Sequence, residues 1–116
     1  MKNISVGIEL FNSGNFFAAH DFFEDIWIES PKEEKLFYQG LVQVSVACFH
    51  LISGNLAGSL SQLKKAKLKL IGYPVNFNEI NLTALILEVD GLIASLTNKE
   101  FDDEIEKYWK KIPKIN

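Results

Sequence analysis

The sequence contains no arginine, so all twelve of its basic residues are lysines. Fifteen acidic residues outnumber them, and the net charge is −3 at pH 7. Proteins that bind nucleic acid usually carry a basic surplus and use the forked guanidinium group to contact phosphate. Because both features are missing, we expect no nucleic-acid partner.

Cysteine is nearly absent as well. Cys48 is the single cysteine, which excludes a disulfide bond within the chain. Met1 is followed closely by the apolar residues of the first helical segment, without the basic segment, apolar stretch and small-residue cleavage site of a secretory leader. We therefore expect a protein of the reducing cytoplasm.

Charged residues are missing from a long central stretch, residues 36–63. Such a stretch is similar in composition to a membrane span, but Gln39, Gln43 and His50 interrupt it and residues 53–55 break it. Polar side chains at these positions are costly in lipid. We expect a central helix of a folded domain and no membrane association.

Apolar residues recur with the helical period along most of the chain, and glycine, proline and asparagine separate the periodic segments. The length of 116 residues and the apolar content of 47% match one domain with a single core. The sequence therefore predicts one all-α domain over residues 1–116. About five helices and a short final one are predicted, over residues 3–12, 16–29, 31–53, 56–71, 81–98 and 100–111.

The tripeptide Ser-Gly-Asn occurs twice, at residues 13–15 and 53–55, each time between two helical segments. Glycine adopts the left-handed conformation that ends a helix, and the asparagine after it can cap the next helix. The first four helices are therefore predicted to form two helix hairpins. We expect the fifth, C-terminal helix to close them into a compact bundle.

Polar side chains form a ring on two helices that are otherwise almost entirely apolar. On the second helix they border the apolar arc of the helical wheel, and on the third they occupy a strip about 40° wide. Buried amides and imidazoles need hydrogen-bond partners, so the strip predicts a matching surface or a pocket. The candidate binding residues of this ring are His20, Glu24, Trp27, Gln39, Gln43 and His50.

The second and third helices are expected to pair antiparallel across the turn at residues 30–31. Positions equidistant from this turn then face each other, which places His20 near residues 39–43 and Glu24 near residue 37. Both glutamines of the ring would join them in one cluster. The second histidine of the ring lies about 10 Å farther along the axis and would line the same groove.

Three interpretations of the ring remain open. In a purely structural interaction protein, Glu24 fixes the tautomer of His20 and the glutamines satisfy neighbouring polar atoms. In a binding module, aromatic walls and a few polar groups form a pocket for an unknown small molecule or protein. In a metal-dependent hydrolase, His20, Glu24 and His50 hold the ion, although the His-Glu-x-x-His pattern is absent. Cys48 lies far around the helix from His50 and is expected in the core.

The segment over residues 10–20 reads Leu-Phe-Asn-Ser-Gly-Asn-Phe-Phe-Ala-Ala-His. Its last residue begins the pattern His-x-x-x-Glu-x-x-Trp, which Glu24 and Trp27 complete. This pattern resembles the hallmark of the domain of unknown function 309 family. A second block of that family is similar to residues 39–43, Gln-Gly-Leu-Val-Gln, followed by His50 and the glycine-containing turn after it. The resemblance covers roughly residues 8–72.

The resemblance implies a small all-helical bacterial or archaeal protein, occasionally a plastid one, with His20, Glu24 and Trp27 at the hallmark positions. It implies no established activity. Ser59 stands where alanine is expected, and the segment after Tyr73 is similar only in its general helical character. We favour the binding module, without a metal or another cofactor, and leave homo-oligomerisation open.

Overall fold

Helices make up most of residues 3–116, the part of the chain that the computed structural model describes. Glycine, asparagine and proline mark the helix ends locally, so most of these ends lie close to their predicted positions. The predicted all-α fold class is confirmed. Within the described part, the α-helices are α1 (Ile4–Asn12), α2 (Phe16–Glu29), α3 (Lys35–Ile52), α4 (Leu56–Leu70) and α5 (Leu82–Thr97).

Consecutive helices pack side by side, with α3 between α2 and α4, α1 on α2, and α5 on α4. The arrangement is elongated, 43 × 25 × 20 Å. Phe23 of α2, Leu41 of α3 and Leu63 of α4 are fully buried. Gly40 allows α4 to approach closely, because a Cβ there would lie 2.7 Å from Leu70 Cδ2. The core therefore follows both sides of the central helix α3.

The two Ser-Gly-Asn turns share one backbone geometry. Gly14 and Gly54 have φ angles of +88° and +85°, the left-handed conformation that was predicted for Gly14. In each turn the N–H of the following asparagine donates to the carbonyl five residues earlier, over 2.9 Å at Asn15 and 2.8 Å at Asn55. These bonds end one helix and turn the chain into the next.

The two asparagines differ in what their side chains do. Asn55 Oδ1 accepts from the N–H of Gly58 at 2.9 Å and caps α4 as predicted. Asn15 lies at the N-cap position of α2 as predicted, but its side chain makes no capping bond. A Cβ at Gly58 would lie 2.5 Å from Asn55 Nδ2. Ala18 occupies the equivalent position in the first hairpin, and its Cβ blocks this capping conformation.

The third helical segment begins differently from the prediction. Ser30 and Pro31 are extended, Lys32–Glu34 form a 3-10 turn, and α3 starts at Lys35. Proline pushes the residue before it out of the helical region, so α2 cannot turn directly into α3. The α-helix therefore starts four residues later than predicted, which changes the residues of α3 that face α2.

A short β-hairpin occupies the end of the predicted loop through residue 78. Strand β1 (Asn76–Phe77) pairs antiparallel with β2 (Ile80–Asn81). Asn78 and Glu79 have φ angles of +46° and +69°, as in the two-residue turns that join hairpin strands. Asn78 Nδ2 also donates to the hydroxyl of Tyr38 at 3.0 Å, which holds the hairpin against α3.

The final helix, predicted over residues 100–111, is instead a 3-10 helix over Ile105–Lys111. Tyr108 is fully buried. Its hydroxyl donates to Asp102 Oδ1 at 2.6 Å and accepts from the N–H of Phe101 at 3.0 Å. This anchor fixes residues before the 3-10 helix in turns, so an α-helix cannot extend back to residue 100.

The extended segment over residues 112–116, here called the C-terminal strap, returns to α1. Asn12 Nδ2 donates to the carbonyl of Ile115 at 2.8 Å, and its Oδ1 accepts from the Ile115 N–H at 2.9 Å. The side chain of Ile115 is buried. The N–H of Asn81 donates to the Asn116 carbonyl at 2.6 Å. The strap thus closes the core between α1 and the start of α5.

The stretch Lys32–Ile52 is long and apolar enough to cross a membrane by length and composition, with a mean hydropathy of 1.2. Half of its most apolar 18-residue window is buried inside the fold. A core helix passes the same test, so this stretch is weak support for a membrane span.

Candidate functional site

His20 lies on the solvent-facing edge of α2, between two carboxylates. Its Nδ1 is 3.2 Å from Asp21 Oδ1, and its Nε2 is 3.5 Å from Glu24 Oε2. The side chains of Asp21 and Glu24 are 59% and 46% exposed. Ion pairs this exposed contribute roughly 0–1 kcal/mol, because water screens them. The predicted neighbours His20 and Glu24 do meet, but at the surface and not in a buried network.

A shallow pocket opens beside His20, between α2 and α3. Phe17, His20, Val46 and Phe49 line it, and its volume is about 220 Å³. The ring centroid of Phe17 lies 5.6 Å from that of Phe49 and 5.8 Å from that of His20. Phe17 is 57% exposed and Phe49 38% exposed, so two phenylalanines in contact face solvent. We call these four residues the α2–α3 pocket.

This pocket lies farther along α3 than the sequence predicted. His20 was expected opposite residues 39–43, yet its neighbours in the pocket are Val46 and Phe49. The connection between α2 and α3 spans residues 30–34 and is not a two-residue turn. Val46 and Phe49 lie three and six residues beyond the end of the predicted range. The predicted register was wrong, because residues 31–34 were expected to be α-helical and are not.

The two glutamines of the ring do not join His20 and Glu24 as predicted. Gln43 Oε1 accepts from Lys69 Nζ of α4 at 2.9 Å, so Gln43 contacts the helix on the other side of α3. Gln39 is half-buried and has no hydrogen-bond partner within residues 3–116. The residues of α3 that line the pocket beside His20 are instead Val46 and Phe49.

Trp27 and His50 do not line the α2–α3 pocket, and both are half-buried. Lys35 Nζ donates to the carbonyl of Trp27 at 2.8 Å and lies 5.9 Å from the centroid of its indole ring. His50 Nδ1 is 3.4 Å from Asn55 Nδ2, and its ring centroid is 6.4 Å from that of Phe49. His50 therefore adjoins Phe49 and the turn after α3, whereas Trp27 contacts Lys35 at the start of α3.

Metal chemistry and nucleophilic catalysis find little support in these positions. Among residues 3–116, no three side chains of the histidine, cysteine, aspartate or glutamate type are placed to hold a metal ion. The structure thus does not assemble His20, Glu24 and His50 as ligands. Cys48 lies in the core as predicted, and burial raises the pKa of its thiol, so the reactive thiolate does not form at neutral pH.

Phe17, Val46 and Phe49 were not predicted as site residues, because the prediction rested on polar side chains. A signal was present for Phe17, which lies about 100° around the helix from Phe16 and outside the apolar arc. A large apolar side chain outside the buried face of a helix is a candidate for a contact surface when another lies beside it. No such signal marked Val46.

The fold and this surface define a small all-α protein with exposed aromatic rings on its second and third helices and carboxylates on the second. The family model described as Domain of unknown function (DUF309) matches residues 4–62, half of the chain. The chain belongs to this family, which confirms the resemblance inferred from the sequence. The match includes the whole α2–α3 pocket and ends within α4.

A protein of Aquifex aeolicus (strain VF5), described as an uncharacterized protein, is 35% identical to the chain over 72 residues. These residues cover 61% of this chain and 22% of that protein, so the similar segment spans about a fifth of the relative's length. Neither comparison brings an activity with it.

Proposed function

We propose that the α2–α3 pocket is a docking site for a protein partner that presents a cationic side chain beside an aromatic or aliphatic one. The observation that carries this proposal is the contact between Phe17 and Phe49, two exposed rings that border an open pocket next to His20. Aromatic side chains are enriched at the centres of protein interfaces and contribute most of the binding free energy there.

Charge around the pocket favours a cationic group in the partner. The α2 helix carries four acidic residues and no lysine. Asp21 and Glu24 are both largely exposed beside His20, so their carboxylates are accessible to an ammonium or guanidinium group. Such a cation is also attracted to the face of a neighbouring aromatic ring. The lysines of α4 lie on the helix on the other side of α3.

The size of the pocket favours a partner protein over a free small molecule. Pockets that enclose small ligands typically have volumes of about 300–1,000 Å³. The α2–α3 pocket has about 220 Å³ and is open to solvent. That volume suits one side chain of a partner, with the rings and carboxylates around it contacting neighbouring residues of the same partner.

The Aquifex aeolicus relative supports the same proposal. Its similar segment accounts for 22% of a longer protein. A segment that recurs beside further chain is expected of a binding module, because its exposed surfaces then face other parts of an assembly. The match to the family model, over residues 4–62, contains all four positions of the α2–α3 pocket.

The test uses two synthetic peptides of fifteen residues and the full chain labelled with ¹⁵N. One peptide is an amphipathic helix with lysines on one face and leucine and phenylalanine on the other, and the second has glutamate in place of lysine. We expect the lysine peptide to shift the amide signals of Phe17, His20, Val46 and Phe49. Phe49→Ala should weaken its binding about tenfold, which corresponds to about 1.4 kcal/mol.

The matched control is Leu87→Ala, which removes an exposed apolar side chain of α5 that does not line the pocket. It should leave the affinity for the lysine peptide unchanged. Equal binding of both peptides, or no binding of either one at about 1 mM, would contradict the proposal. Concentration-dependent dimerisation that Phe49→Ala abolishes would instead assign the surface to a second copy of the chain.

A further inference from the structure

Three α-helices of this chain end in the same hydrogen-bonded turn. In one of these turns, the left-handed position holds a residue other than glycine. After α5, the N–H of Lys99 donates to the Leu96 carbonyl at 3.1 Å and that of Glu100 to the Ser95 carbonyl at 3.1 Å. The turns after α1 and α3 have the same pair of bonds, with glycine in the left-handed position. The turn after α5 has lysine there, with a φ of +53°.

Lysine at this position is unfavourable for the backbone. A residue with a Cβ in the left-handed conformation is destabilised relative to glycine, which is the reason that glycine predominates at such helix ends. The chain uses glycine at the two equivalent positions, Gly14 and Gly54. A residue held in an unfavourable backbone conformation is a candidate for a functional side chain. The ammonium group of Lys99 has no hydrogen-bond or ion-pair partner within residues 3–116.

Lys99 lies at the edge of a second cavity, between α4 and the end of α5. This α4–α5 cavity has a volume of about 310 Å³, which lies within the range of about 300–1,000 Å³ that small-molecule sites occupy. The lining is apolar except at one edge, where it is charged. Its residues are Leu56, Ala57 and Leu60 of α4, Leu96 of α5, and Lys99 and Asp102 after it.

The two charged residues of the α4–α5 cavity do not pair with each other. Asp102 is held by the hydroxyl of Tyr108, which donates to its Oδ1 at 2.6 Å, and no salt bridge within 4 Å joins it to Lys99. Asp102 therefore presents a fixed carboxylate, and Lys99 presents a free ammonium group. A cation and an anion beside one apolar cavity match a ligand that carries both charges at one end of an apolar body.

We infer that the α4–α5 cavity binds an α-amino acid with a branched apolar side chain. The ligand carboxylate contacts the ammonium of Lys99, the ligand ammonium contacts the carboxylate of Asp102, and the side chain lies on Leu56, Leu60 and Leu96. Because the cavity is partly open, we expect L-leucine to bind with a Kd of roughly 0.1–1 mM. This site is separate from the α2–α3 pocket and does not depend on the function proposed for it.

The test is a titration of the full ¹⁵N-labelled chain with L-leucine and three analogues. 4-Methylpentanoate lacks the amino group, 3-methylbutylamine lacks the carboxylate, and glycine lacks the apolar side chain. We expect L-leucine to shift the amide signals of Leu56, Leu60, Leu96 and Lys99. Each analogue should bind at least tenfold more weakly, because it loses one of the three contacts.

Lys99→Gly separates binding from folding. Glycine adopts the left-handed conformation without strain, so the Tm of this variant should be equal to or above that of the unchanged protein. Its affinity for L-leucine should fall at least tenfold. Lys65→Ala, at an exposed lysine of α4 outside the cavity, should bind L-leucine normally. Undiminished binding by Lys99→Gly, or equal affinity for L-leucine and glycine, would overturn the inference.

Discussion

Residues 4–70 and residues 71–116 acquire their structure in different ways. In the first region, the ends of α1 to α4 are formed by backbone hydrogen bonds between residues at most five positions apart, as in the turns at Gly14 and Gly54. In the second region, the β-hairpin and the C-terminal strap depend on residues far away in sequence. Asn12, for example, contacts the strap across 103 positions. Local patterns therefore determine the structure of the first region, and long-range contacts determine that of the second.

Ile115→Ala should have the largest effect and would test whether the C-terminal strap belongs to the core. Truncating a buried isoleucine costs about 2–5 kcal/mol through lost apolar contact and the cavity left behind. Ile115 is 1% exposed, whereas Ile28 of α2 is 62% exposed and serves as the matched control. Urea unfolding should show a loss in this range for Ile115→Ala and less than about 0.5 kcal/mol for Ile28→Ala. A loss below about 1 kcal/mol at Ile115 would show that the second region folds without its strap.

Asn55→Ala and Asn15→Ala test the two Ser-Gly-Asn turns of the first region, because these turns share a sequence and differ in one capping bond. Asn55 caps α4 through the N–H of Gly58, and removing a cap costs about 1 kcal/mol. Asn15 makes no such bond, so its replacement should change the free energy of unfolding by less than about 0.5 kcal/mol. Equal losses in thermal unfolding would contradict the role assigned to Ala18 as a block to capping.

Ser59→Ala should stabilise the protein by about 1 kcal/mol, because a buried hydroxyl without a partner carries a desolvation penalty. The Ser59 side chain is fully buried in α4, and its Oγ has no hydrogen bond within residues 3–116. The resemblance to the family had already suggested alanine at this position. Ser61→Ala, at an exposed position of the same helix, is the control and should be neutral within about 0.5 kcal/mol. A lower Tm for Ser59→Ala would show that the hydroxyl is bonded.

His20→Ala and Glu24→Gln should have the smallest effects on stability, less than about 0.5 kcal/mol each, because their contact is exposed to water. Urea unfolding of both variants and of the double variant measures their coupling. A coupling above about 1 kcal/mol would identify a structural network and contradict a binding role. A coupling near zero together with weaker binding of the lysine peptide would support the α2–α3 pocket.

The helices of the first region could be predicted because residues at the helix ends determine where each helix begins and ends. Glycine in the left-handed conformation ended α1 and α3, and Pro31 limited α2, so α2 has the predicted bounds. The position of α3 relative to α2 could not be predicted in the same way. This position depends on the 3-10 turn Lys32–Glu34. The acidic residues of that turn suit the start of an α-helix equally well, so the sequence does not distinguish the two. A shift of a few residues there changed the neighbours of His20.

The second region was harder to predict because its elements are short or irregular. Two-residue strands leave no alternation to detect, and Asn78 was the single cue to the hairpin turn. Residues 100–111 have acidic residues first and lysines last, as a helix dipole favours, yet Tyr108 selects a 3-10 helix by bonding to Asp102. The polar ring was predicted from single helices, whereas the α2–α3 pocket arises from how two helices pack.

The bond between Asn12 and the C-terminal strap also bears on the time course of folding. The contacts within α1 to α4 join residues close in sequence, and such contacts form quickly. A ribosome adds about 5–20 residues per second, so roughly 5–20 s separate the synthesis of Asn12 from that of Ile115. During this interval, α1 can pack on α2 while its C-terminal end lacks its partner. We therefore expect amide protection to arise first in the helix hairpins, with closure of the strap as the last step after synthesis.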